Sequence, residues 1–177
     1  MIRIFLIGYM GAGKTTLGKA FARDLNIPFV DLDWYIEERY HKTVSELFAE
    51  KGETGFRDLE KKMLHEVAEF ENVVISTGGG TPCFFDNMEF MNKHGITVFL
   101  DASPKVLLKR LSAATQSRPI LQGKKEDELY QFIVEKLEER MKFYSQAQHI
   151  FNADELENRW QISSSIQRLR ELLESSV

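Results

Sequence analysis

Residues Gly8-Tyr9-Met10-Gly11-Ala12-Gly13-Lys14-Thr15 fit the spacing G-x-x-x-x-G-K-[ST] and stand directly behind the apolar run Ile4–Ile7. Placement constrains the fold more than the pattern does: a short buried strand must feed a glycine-rich turn, and a helix must open at Lys14. Glycines reach backbone angles that side chains resist, so successive N–H groups can turn inward around an anion. The start of the helix adds its partial positive charge at the same place. The backbone of Gly11, Ala12 and Gly13, with Thr16 behind, is expected to cradle phosphates. Lys14 can reach the β- and γ-phosphates, and the Thr15 hydroxyl can ligate Mg²⁺. Such a segment binds a nucleoside triphosphate as its magnesium complex.

The 177 residues suit a single domain with a sizeable core. A net charge of −4 offers no nucleic-acid footprint. The single cysteine, Cys83, permits no internal disulfide, which points to the cytoplasm, and is expected to be a packed small residue rather than a reactive thiol. No apolar run approaches the ~20 residues of a membrane span, and the chain starts directly into a strand without a signal segment.

Short apolar runs alternate with amphipathic stretches. Strands are expected at 3–7, 28–31, 72–76, 97–100 and 148–151, and helices at about 15–25, 56–70, 84–94, 104–114, 126–146 and 159–174. Phe56, Leu59, Met63, Val67 and Phe70 recur at threes and fours, a helical period. Strands separated by helices imply βαβ units: a three-layer α/β/α fold around a five-stranded parallel sheet, with ligands beyond the carboxyl ends of the strands. Residues 33–61 read as a small insertion of short, polar helices with Gly52 and Gly55 between them. Residues 112–125 have the composition of a loop, and Arg118 within them suggests a lid over the phosphates.

The second strand runs into Asp31-Leu32-Asp33, where strand alternation sets both carboxylates on one side. Asp33 is the candidate base for a hydroxyl acceptor. Asp31 either contacts Mg²⁺ or caps the next helix. The third strand ends in Gly78-Gly79-Gly80, bare backbone against which a rigid ligand can lie. Asp101, after the fourth strand, imitates a Mg²⁺ aspartate and is expected to be a cap or loop residue. Arg57, three residues before Glu60, and Arg140, before Tyr144, are candidate partners for a substrate carboxylate. Trp34 is expected either in the acceptor pocket or in the core, and Phe48 and Phe56 in the acceptor wall. His41, His94 and His149 have no metal-ligand spacing.

Taken together, the glycine-rich loop, Asp31-x-Asp33, Gly55-Phe56-Arg57-x-x-Glu60, Gly78-Gly79-Gly80, Arg118-Pro119-Ile120-Leu121 and Arg140 with Tyr144 resemble shikimate kinase, in the P-loop group shared with nucleoside monophosphate kinases. The matching residues span positions 8–144. The resemblance implies ATP and Mg²⁺, a shikimate-binding insertion and a closing lid, in a monomeric cytoplasmic enzyme of aromatic amino acid biosynthesis that engages neither nucleic acid nor membrane. It implies that Asp33 meets the 3-hydroxyl of shikimate, that Arg57 and Arg140 hold its carboxylate, and that Gly79 and Gly80 approach its ring. Arg118 would meet the transferring phosphate, Arg110 would pack on adenine, and Lys14 and Arg118 would join Asp33 in catalysis. Lys142 stands where many relatives carry proline. The segment 152–158, on the adenine side, matches no motif. A gluconate or nucleotide kinase is the nearest rival on charge alone. A GTP-binding switch is disfavoured because Asn92-Lys93-His94-Gly95 lacks the aspartate that reads guanine, and a metalloprotease because His65-Glu66-Val67-Ala68-Glu69 lacks a second histidine.

Overall fold

Apolar residues run without polar interruption through Ile4–Ile7 and Val73–Ile75, a pattern that suits strands covered on both faces. The computed structural model describes residues 1–114 and 124–175. In chain order its elements are β1 (Arg3–Ile7), α1 (Lys14–Asp24), β2 (Phe29–Asp31), α2 (Leu32–Tyr40), α3 (Val44–Val67), β3 (Val73–Ser76), a 3-10 turn (Thr81–Cys83), α4 (Asn87–His94), β4 (Ile96–Asp101), α5 (Pro104–Ala114), α6 (Lys124–Tyr144), β5 (His149–Asn152) and α7 (Arg159–Glu174). The strands form one sheet in the order β2-β3-β1-β4-β5, every pair parallel. Phe5 at the centre stands opposite Ile75 on one side and Thr97 on the other. All four residues of β3 and the last four of β1 are buried. Because the order reverses about β1, the crevice beyond its carboxyl end is a switch point, where sheets of this kind hold ligands.

The five strands fall within a residue or two of their expected positions. The helix expected from 56 joins a shorter helix of the insertion, so α3 runs from Val44 with a kink between. A capping box, in which Thr43 accepts from the Glu46 N–H and Glu46 reaches back to Thr43, starts it a full three turns earlier. Gly52, at φ 70° and ψ 176°, is not helical and divides α3 into two helices across a kink. Phe56, Leu59, Met63 and Val67 all turn into the core, each contributing roughly 1.5–3 kcal/mol by burial. Phe70 does not join them; the helix closes at Ala68 and Phe70 is 40% exposed.

Asp31 and Asp33 come together by a different route from strand alternation. The Asp31 carboxylate accepts from the Trp34 N–H at 3.1 Å, so α2 begins at Leu32 and Asp33 sits in its first turn. Arg118 and the central part of the expected lid lie outside the described residues; Ser112–Ala114 belong to α5, and Lys124 opens α6.

Candidate active site

A cavity of about 610 Å³ opens beyond the carboxyl ends of β1, β2 and β3 and is lined by Gly11, Gly13, Lys14, Thr15, Thr16, Asp31, Asp33, the three consecutive glycines, Arg110 and Arg140. Its first wall is the loop from Gly8 to Gly13. Gly8 takes φ 149°, and a Cβ there would stand 2.8 Å from the Leu100 carbonyl oxygen, so no other residue fits without moving β4. Gly13 takes φ 99° and caps α1 through backbone alone. Lys14 is buried, and its ammonium donates to the carbonyls of Gly8 at 2.7 Å and Tyr9 at 3.0 Å. Burial pulls its pKa down to about 8, against the opposing pull of Asp33 and Asp31.

Thr15 and Asp31 meet across this wall, the hydroxyl donating to the carboxylate at 3.3 Å. Asp31 caps α2 with one oxygen and faces Thr15 with the other. Among the described residues no three histidine, cysteine or acidic side chains gather as a resident metal site. One hydroxyl and one carboxylate beside a phosphate cradle fit Mg²⁺, which keeps most of its waters and takes few protein ligands. Asp33, deeper in, has its pKa raised to about 6, first by burial and then by the neighbouring Asp31 and Glu60 carboxylates.

Gly78, Gly79 and Gly80 form the floor, and four charged side chains close upon them. A Cβ on Gly78 would stand 3.2 Å from Asp33 Oδ1 and 3.3 Å from Glu60 Oε2; on Gly79, 3.1 Å from Arg140 Nη1; on Gly80, 2.7 Å from Arg57 Nη2. Base candidate and both arginines thus converge on adjacent residues, an arrangement that only missing side chains permit. Arg57 is held from several sides. Its Nη1 donates to Glu60 at 2.9 Å, and Glu60, itself 1% exposed, accepts from the Thr81 hydroxyl at 2.9 Å with its other oxygen. The guanidinium carbon lies 4.1 Å from the centre of the Phe84 ring and 5.5 Å from those of Phe48 and Phe56. Arg140 reaches the floor from α6, 5.5 Å from the Tyr9 ring. One turn further along, the buried Tyr144 hydroxyl donates to the Gly79 carbonyl at 2.6 Å and fixes α6 against the glycines.

On the opposite side, Arg110 laces the phosphate loop to the segment after β5. Its guanidinium donates to the carbonyls of Gly11, Ala12, Ala153 and Asp154 and pairs with Glu157 at 3.0 Å. Leu156 and Glu157 line the cavity here; neither carries a periodic or motif signal, because irregular backbone positions them. Trp34 is 59% exposed and lines neither this cavity nor the core. Asp101 ends β4 and does not line the cavity.

The family model for shikimate kinase matches residues 10–170. A curated shikimate kinase of Bacteroides thetaiotaomicron is 75% identical over 174 residues, covering 98% of this chain and 99% of its own. The crystal structure of shikimate kinase from the same species superposes with a TM-score of 0.91 at 71% identity, covering 98% of both chains. That of Acinetobacter baumannii shikimate kinase in complex with shikimate gives 0.81 at 30% identity, over 99% of this chain and 94% of the other.

Proposed function

From the premise that this chain belongs to the shikimate kinase family, whose members transfer the γ-phosphoryl group of ATP to the 3-hydroxyl of shikimate, we propose that Asp33, Arg57 and Arg140 hold the acceptor and that the loop from Gly8 to Thr16 holds ATP. The observation that carries this reading is the convergence of one carboxylate and two guanidiniums on three consecutive glycines beside the phosphate cradle. The bare backbone of Gly79 and Gly80 lets a flat ring lie close. The two guanidiniums form charge-assisted hydrogen bonds with its carboxylate, which leaves a ring hydroxyl toward Asp33. With a pKa near 6, Asp33 is ionised at neutral pH yet basic enough to orient that hydroxyl and accept its proton.

Phosphoryl transfer asks mainly for alignment and charge neutralisation. Lys14, resting on loop carbonyls in this structure, exchanges them for phosphate oxygens. Thr15 and Asp31 would hold Mg²⁺, which when bound neutralises charge on the phosphates. Arg110 sets the adenine-side wall, Arg118 meets the transferring group, and residues 33–61 and 112–125 act as acceptor insertion and lid. The enzyme works as a cytoplasmic monomer on ATP and shikimate. Among the described residues no helix is long and apolar enough to cross a membrane.

Asp33→Asn tests the base. Turnover with shikimate is expected to vanish while ATP binding, followed by calorimetry, persists. Near-normal turnover in the variant excludes Asp33 as the proton acceptor.

A further inference from the structure

A second cavity, of about 350 Å³, lies in the cleft between α3 and α6, with Cys83 and Phe84 at its base. Lys136, Glu139, Arg140 and Phe143 recur at threes and fours, so one stripe of α6 faces it; Glu53 and Arg57, four apart, face it from α3. Arg140 lines both cavities, and Arg57 lines this one while resting against Gly80. The two arginines are therefore a wall common to the acceptor pocket and this cleft.

Four cations face two carboxylates here. Glu139 pairs with Lys136 at 3.2 Å, and Glu53 stands 3.8 Å from Arg57 Nε. Arg140 and Lys142 have no carboxylate within ion-pair distance among the described residues. Arg57 Nε is buried without a hydrogen-bond partner there. Positive charge thus remains open toward a cleft large enough for a small solute.

We propose that this cleft is a second anion subsite, taking a small free dianion of sulfate or phosphate chemistry on Lys142 and Arg140, with the Arg57 guanidinium beside them. Occupation opposes acceptor binding, because both ligands draw on the same two guanidiniums, and such linkage is reciprocal. The opposition rests on the reading of Arg57 and Arg140 as the carboxylate clamp.

The test is steady-state kinetics of the full chain at saturating ATP and Mg²⁺, with shikimate varied and sulfate increased while chloride holds the ionic strength constant. Sulfate is expected to raise the shikimate KM with kcat unchanged. Lys142→Glu, at an exposed position outside the catalytic set, is expected to weaken that effect at least about threefold, since one exposed charge is removed and an opposite one added, while KM without sulfate stays put. An effect of sulfate no greater than that of chloride, or one equal in wild type and Lys142→Glu, overturns the subsite. Arg57→Ala, measured alongside, keeps the two readings apart: a raised shikimate KM upholds the clamp whatever sulfate does, and an unchanged KM removes the clamp itself.

Discussion

Gly80→Ala isolates the arginine clamp from everything else in the site. Gly80 has φ −90° and ψ −13°, angles that alanine adopts freely, so the substitution brings no backbone strain. Its only cost is steric. The new methyl would stand 2.7 Å from Arg57 Nη2 and 3.0 Å from Nη1, where unstrained contact needs about 3.5 Å or more. The guanidinium must therefore retreat by most of an ångström. It cannot do so and keep its place, being bonded to Glu60 at 2.9 Å and stacked on Phe84 at 4.1 Å. Losing one charge-assisted hydrogen bond to the substrate carboxylate corresponds to about 1.5–3 kcal/mol, or a shikimate KM raised roughly tenfold to a hundredfold. The ATP KM is expected to stay unchanged, since the phosphate loop is untouched. Initial rates at saturating ATP, with thermal unfolding as the check on folding, measure this. A shikimate KM within twofold of wild type in a folded variant refutes the steric reasoning and, with it, the position assigned to the carboxylate.

Glu60→Ala is expected to destabilise the fold by about 3–5 kcal/mol, because it strands a largely buried guanidinium. At about 2.1 cal/mol/K per residue over 177 residues, that is a Tm lower by roughly 8–13 °C; a loss of under 3 °C in a melt contradicts the pairing. His65 stacks on Phe90 at 3.7 Å with Nε2 buried and unpartnered among the described residues. Burial and then Lys61 hold its pKa below the ordinary value, with His94 adding to them and Asp86 and Glu69 opposing. A depressed histidine pKa means that the unfolded chain takes up the proton first, so stability is present above about pH 6.5 and lost as pH falls below it. Denaturant melts of wild type and His65→Phe should diverge in that acidic range, wild type losing more; parallel curves exclude His65 as the cause.

The parallel sheet was legible because its strands are uninterrupted apolar runs and its phosphate loop carries a spacing that only one local geometry satisfies. Arg57 and Glu60 were visible as a pair three residues apart on a helix, and Gly78–Gly80 as a run of bare backbone. What the sequence concealed depends on distance along the chain. Tyr144 reaches Gly79 across 65 residues, and Arg110 reaches Asp154 across 44; no local period records such contacts. Leu156 and Glu157 lie on irregular backbone, so neither helix nor strand spacing marks them. Asp33 was found for an incomplete reason: the Asp31 cap, rather than strand alternation, turns the chain at Leu32 and brings both carboxylates to the cavity.

The most direct test of the account is ADP release, coupled to a spectrophotometric readout, with ATP and Mg²⁺ and with shikimate, gluconate, a nucleoside monophosphate or no acceptor. Release that depends on shikimate, with the other three near the background rate, is the expected result. Equal release without acceptor, or faster release with gluconate, would contradict the assignment of Asp33, Arg57 and Arg140 to shikimate.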